Sequence, residues 1–138
     1  MDALVKFLPK ALLVFSAGLL CWGLLGLLEY VFPTLGLGLQ NSQFPKGLQF
    51  LHFFAIMLTG AIFVFGYLKP WPHTPYASIT IYAVLATLCF VETIDFGAFG
   101  GGTTGVLIML VEFLLYIVIS TYLLRSAAIS QHFGHADM

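Results

Sequence analysis

The chain has 138 residues, of which 60% are hydrophobic and only 8% charged, with a formal net charge of -1. A soluble domain usually carries about 25% charged residues, so this chain cannot cover itself with a soluble surface; it reads as one compact domain whose solvent is mostly lipid. No basic run offers itself to nucleic acid, and no acidic tail suggests a solvated arm.

A membrane-crossing helix needs about 20 predominantly apolar residues, and four segments meet that need. The first is 11–32, preceded by Lys6 and Lys10 and stopped by Pro33. A basic start before an apolar run has the outline of a signal peptide. This run is longer than the roughly 7–15 residues of a signal core, and no A-x-A-like site ends it. The expectation is an uncleaved first span. The following loop, 33–47, is partly apolar through Leu35, Leu37 and Leu39, and suits the interface or a dip back into the bundle.

The second span is 48–68, stopped by Lys69 and Pro70. Residues 69–75 then hold Pro70, Pro72 and Pro75, which stiffen a short hairpin because proline fixes φ. The third span is 76–96, stopped by Gly97. Residues 97–103 are rich in glycine. A glycine loop before a helix can cradle phosphate, but no lysine follows, and a turn between two spans is the expected role. The fourth span is 104–124, ended by Arg125. The tail beyond it carries His132 and His135, a weak metal pattern in a segment expected to be disordered. No internal repeat is visible, which disfavours a transporter built from two inverted halves. The fold class is therefore all-α: a single four-helix membrane bundle.

The basic residues orient it. Lys6, Lys10, Lys69 and Arg125 fall on the side of the termini, and Lys46 falls opposite. The positive-inside rule places both termini in the cytoplasm of a multi-pass protein, in the inner membrane if the source is bacterial. Tyr67, Trp71, Tyr76 and Tyr122 would then mark the cytoplasmic interface, and Tyr30, Phe32 and Phe96 the outer one. Small residues mark a close helix contact. Ser16, Ala17, Gly18, Gly23 and Gly26 on the first span face Ala55, Thr59, Gly60, Ala61 and Gly66 on the second.

The placement of acids carries the functional signal. Asp2 and Asp137 are terminal, whereas Glu29, Glu92, Asp95 and Glu112 lie within or at the ends of spans. An ionisable group at the bilayer centre costs roughly 2.5–3.5 kcal/mol on insertion scales, so such groups face a bundle interior or a wet cavity. With the expected orientation all four, together with His52, share the outer half of the membrane. Glu92 and Asp95 are spaced i,i+3 on one helix face. Glu112, Tyr116 and Ser120 form an i,i+4,i+8 stripe, and Gln49 pairs with His52. Turned inward, these stripes would line an outward-facing acidic pocket able to bind a proton, a cation or another ligand.

Other chemistries find less support. A di-iron bundle needs Glu-x-x-His pairs, and none is present. His52 is the only histidine inside a span, which excludes bis-histidine haem within one chain. Cys21 and Cys89 each lie in an apolar run with no CxxC or Cys/His cluster. No GxSxG motif is present. No metal site, cofactor or catalytic residue is assigned.

Three classes of function fit. The first is a non-enzymatic subunit or accessory component of a membrane complex, partnered by lipid and by other membrane chains or copies of itself. The second is a small proton- or cation-coupled transporter or channel using the acidic pocket. The third is a lipid- or metabolite-modifying enzyme whose acids transfer protons. A transporter requires acids on a continuous wet path. A subunit requires an apolar face left unused by the monomer. An enzyme requires an acid and a base converging on a lipid-accessible cavity.

Overall fold

The computed structural model describes residues 2–38, 45–96 and 102–134. Five α-helices and one 3-10 turn make up these segments: α1 (Asp2–Val31), a 3-10 turn (Pro33–Leu35), α2 (Lys46–Leu68), α3 (Thr74–Phe96), α4 (Gly102–Arg125) and α5 (Ala127–Gly134). The first four helices contain stretches long and apolar enough to cross a membrane, Lys6–Val31, Lys46–Leu68, Thr74–Asp95 and Gly102–Arg125. Among the described residues there is no β-strand.

Local chemistry sets the helix ends. α1 starts well before the expected residue 11 and carries Pro9 inside it. At its other end Pro33 opens the 3-10 turn, closed by Gly36 at φ 62°, whose N–H donates to the Pro33 carbonyl at 3.3 Å. Only glycine takes that left-handed conformation without strain. The described half of the following loop stays exposed, with Leu35 and Leu37 at 50% and 48%, so it does not fold back into the bundle. The proline-rich hairpin is compact. Lys69 N–H donates to Phe65 O, Trp71 N–H to Gly66 O, and Thr74 N–H to Trp71 O, all within 3.1 Å. Pro75 sits in the first turn of α3, where its missing N–H costs nothing. The glycine-rich turn expected at 97–103 lies largely outside the described residues, as do residues 39–44 and His135.

α1 packs along α2, α2 against α3, and α3 against α4, whereas α1 and α4 do not pack along one another. The closest approach is α1 on α2. A Cβ on Gly23 would lie 2.5 Å from the Met57 nitrogen, and one on Gly60 would overlap the backbone of Ser16 and Leu20. Gly26 meets the Phe53 ring of α2, whereas Gly66 meets the Thr74 side chain of α3 and not α1, where the sequence pattern put it. Gly18, by contrast, has nothing within 4 Å. Small residues thus let the two helix backbones meet at close range.

The tail differs from the sequence expectation. Instead of disorder, 127–134 form α5, which packs on the terminal end of the bundle. Ile129 and Phe133, spaced i,i+4 on one face, are each 1% exposed. Ile129 N–H reaches the Ser126 hydroxyl at 3.4 Å, an N-cap arrangement. Phe133 packs edge-on against Phe63 and Tyr67. His132 stacks on Tyr67 with ring centroids 4.0 Å apart, and its Nε2 lies 2.8 Å from the Tyr67 carbonyl oxygen. That engagement takes His132 out of the metal pattern suggested with His135.

Candidate functional site

The site lies toward the end of the bundle away from the termini. α2 presents His52 about one and a half turns after its start, and α3 presents Glu92 one turn before its end. Their side chains meet, Nδ1 to Oε1, at 2.7 Å. Glu92 is 5% exposed, so the protein holds this carboxylate out of the surroundings, with the imidazole its close polar neighbour. His52 keeps an edge-on contact with the Phe53 ring at 5.3 Å, which fixes the plane of its own ring.

A half-open cavity of about 410 Å³ runs beside this pair. Phe15, Leu19 and Trp22 of α1 and Leu115 of α4 supply apolar walls, with Ile56 and Leu85 between them. His52, Glu92, Cys89, Glu112 and Tyr116 supply the polar ones. Tyr116 and Cys89 lie beside Glu112 on the wall of this cavity, with Thr93 next to Cys89. Cys89 also lies within electrostatic reach of Glu92. Three helices thus bring two carboxylates, an imidazole, a thiol and a phenol to one wall. Among the described residues no three His, Cys, Asp or Glu side chains converge closely enough to hold a metal ion.

The five residues expected in one pocket divide. His52, Glu92 and Glu112 line the cavity just described. Glu29 is buried at 3% and lines a different one, of about 300 Å³, with Tyr30, Pro33, Lys46 and Gln49. Gln49 therefore faces Glu29 and Lys46 across α1 and α2, rather than continuing the His52 stripe. Asp95 is exposed, in the last turn of α3. The rotation between Glu92 and Asp95 at i,i+3 is about 60° short of a full turn, enough to carry one inward and the other out.

Sequence reading missed Cys89 as a wall of the site and the whole inner face of α3 below it. Cys89 sits one turn before Glu92 and Thr93, and that i,i+3,i+4 spacing was the signal that could have found it. Comparison with protein-family models, with curated proteins and with solved structures gives no match for this chain.

Proposed function

We propose that the chain is an integral membrane protein that crosses the bilayer four times with both termini in the cytoplasm, and that it handles protons or a cationic ligand at His52, Glu92 and Glu112. The observation that carries this reading is the 2.7 Å His52–Glu92 contact on the wall of a cavity that Glu112 also lines. Intramembrane acids are costly, and groups of this kind mark ion or proton pathways and ligand counter-ions. Two carboxylates beside one imidazole form a set that can exchange a proton internally or accept one positive charge. The transport reading of the sequence is therefore the one we favour.

The accessory-subunit reading keeps one supporting observation. α4 leaves Leu107, Leu110, Val111, Leu114, Ile117 and Val118 exposed along its length, a face able to meet a partner helix as readily as lipid. Isolation in mild detergent distinguishes the two, since an obligate subunit brings a stoichiometric larger chain with it.

Infrared difference spectroscopy on the protein in lipid tests the site directly. Stepping the bulk between about pH 4 and 9 covers the ordinary range of carboxylates and histidine. A carboxyl C=O band that titrates and is lost in Glu112→Gln or Glu92→Gln is expected. A spectrum with no such band assignable to either residue refutes the reading.

A further inference from the structure

Three threonines of the bundle settle their hydroxyls locally. Thr59 donates to the Ala55 carbonyl at 2.7 Å, Thr80 to Tyr76 at 2.9 Å and Thr87 to Ala83 at 3.0 Å. This bond to the carbonyl four residues back is the ordinary solution for a helix hydroxyl with no other partner. Ser78, buried on the inner face of α3, does not use it. Thr74, Ser78 and Tyr82 stand one turn apart on that face and are at most 1% exposed. Neither Thr74 nor Ser78 makes a hydrogen bond to a described protein group. Ser16 of α1, 0% exposed, faces the Tyr82 hydroxyl without closing a well-formed bond to it. The Tyr122 hydroxyl of α4 is likewise buried with no protein partner among the described residues.

This row joins the site already described. Tyr116 stacks on Tyr82 with ring centroids 5.5 Å apart and lies beside Glu112. From Thr74 to Glu92 the inner face of α3 covers about 27 Å at 1.5 Å per residue, close to the roughly 30 Å of a hydrocarbon core. Each buried, unpartnered hydroxyl weakens the fold, and alanine or phenylalanine would remove that cost without changing the packing much. A hydroxyl is both donor and acceptor, which an apolar replacement is not.

We infer that the inner face of α3 is a proton path, in which Tyr116, Tyr82, Ser16, Ser78 and Thr74 connect Glu112 and the His52–Glu92 pair to the terminal end of the bundle. The inference rests on the reading of that site as proton- or cation-binding, and it names the proton as the substrate. In each step a hydroxyl or an intervening water accepts a proton on a lone pair and releases its own to the next group. Glu112 is left ionised as a proton emerges beside Thr74, and a proton taken up from the cavity restores it. No oxidant, reductant or other reactant is consumed. Close packing excludes a hydrated cation from this stretch, since Phe63 and Tyr82 are 0% and 1% exposed.

The experiment is proton flux in proteoliposomes containing the full chain and a trapped pH-sensitive dye, driven by a potassium diffusion potential with valinomycin. Wild type should carry protons. Tyr82→Phe, which removes one oxygen, and Ser78→Ala should each lower the flux about tenfold or more while helicity and thermal unfolding stay unchanged. Thr87→Val, on an exposed face with its hydroxyl bonded to Ala83, should leave the flux unaltered. Equal flux in wild type, Tyr82→Phe and Ser78→Ala overturns the path; if Glu112→Gln still abolishes flux, the site reading survives. No flux from wild type, with the Glu112 or Glu92 carboxyl band still titrating, also overturns the path and leaves the site. A matching loss in Thr87→Val overturns it as well, because the effect would then not follow the inner face.

Discussion

Replacing Gly60 by alanine adds a single methyl group where the backbones of α1 and α2 come closest. That methyl would overlap the Ser16 carbonyl oxygen and the Leu20 nitrogen and lie 2.8 Å from the Leu20 Cα. All three neighbours are backbone, so no side chain can swing away, and α1 must shift by several tenths of an ångström or more. Forcing extra volume into a packed interface costs about 1–3 kcal/mol. Alanine returns up to about 1 kcal/mol through its better helix propensity. Gly18→Ala provides the reference, because nothing lies within 4 Å of the added methyl and only the propensity gain remains. The expected result is that Gly60→Ala is less stable than Gly18→Ala by about 1–3 kcal/mol. Equilibrium unfolding by SDS in mixed micelles, followed by far-ultraviolet circular dichroism, measures the difference. Equal stability of the two variants, or a more stable Gly60→Ala, refutes the claim that backbone contact holds α1 to α2.

Phe133→Ala should cost about 3–5 kcal/mol, as for a fully buried aromatic, and should release α5; faster amide exchange confined to 127–134 would show it, and unchanged exchange there would contradict the docking of the tail. In a background without Cys21 and Cys89, cysteines at Gly47 and at Ala127 should label from opposite faces of sealed vesicles with an impermeant maleimide. Labelling of both from one face contradicts the four-span topology. His52→Leu should destabilise by about 3 kcal/mol or more by stranding the buried Glu92 carboxylate, whereas adding Glu92→Leu should recover most of the loss. Additive losses in the same SDS titration would mean that the pair is not energetically coupled.

The four long apolar helices were legible because the thickness of a hydrocarbon core asks for a length and a composition that the sequence displays openly. The α1–α2 contact was legible because glycines at that spacing have few other uses in a membrane helix. Two features were hidden for a common reason. In α5 the pattern of Ile129 and Phe133 is only one turn long, too short to stand out against a polar tail. In α3 the serine and threonine of the inner face are ordinary residues in any membrane helix, and only their burial without a protein partner sets them apart. The separation of Glu29 from the other acids was equally beyond the sequence. Depth follows from counting residues, but the side of the helix facing a particular neighbour follows from packing, and α1 turns Glu29 toward Lys46 and Gln49.

The double replacement of His52 and Glu92 bears on why the pair exists. An ion pair taken out of water gains Coulomb energy but loses hydration, and well-packed apolar side chains of similar volume often serve stability as well or better. α2 and α3 already meet through Gly66 against Thr74 near their other ends, so the contact needs no charge to form. If leucine at both positions restores stability while the carboxyl titration and the proton flux are lost, the pair is dispensable for the fold and required by the site. The same logic applies to the hydroxyls of α3, where Tyr82→Phe and Ser78→Ala keep the packing and remove only the capacity to pass a proton. Under the proposed proton path, the buried hydroxyls are kept at a cost in stability because they lead toward the carboxylates, a role that helix packing alone does not require.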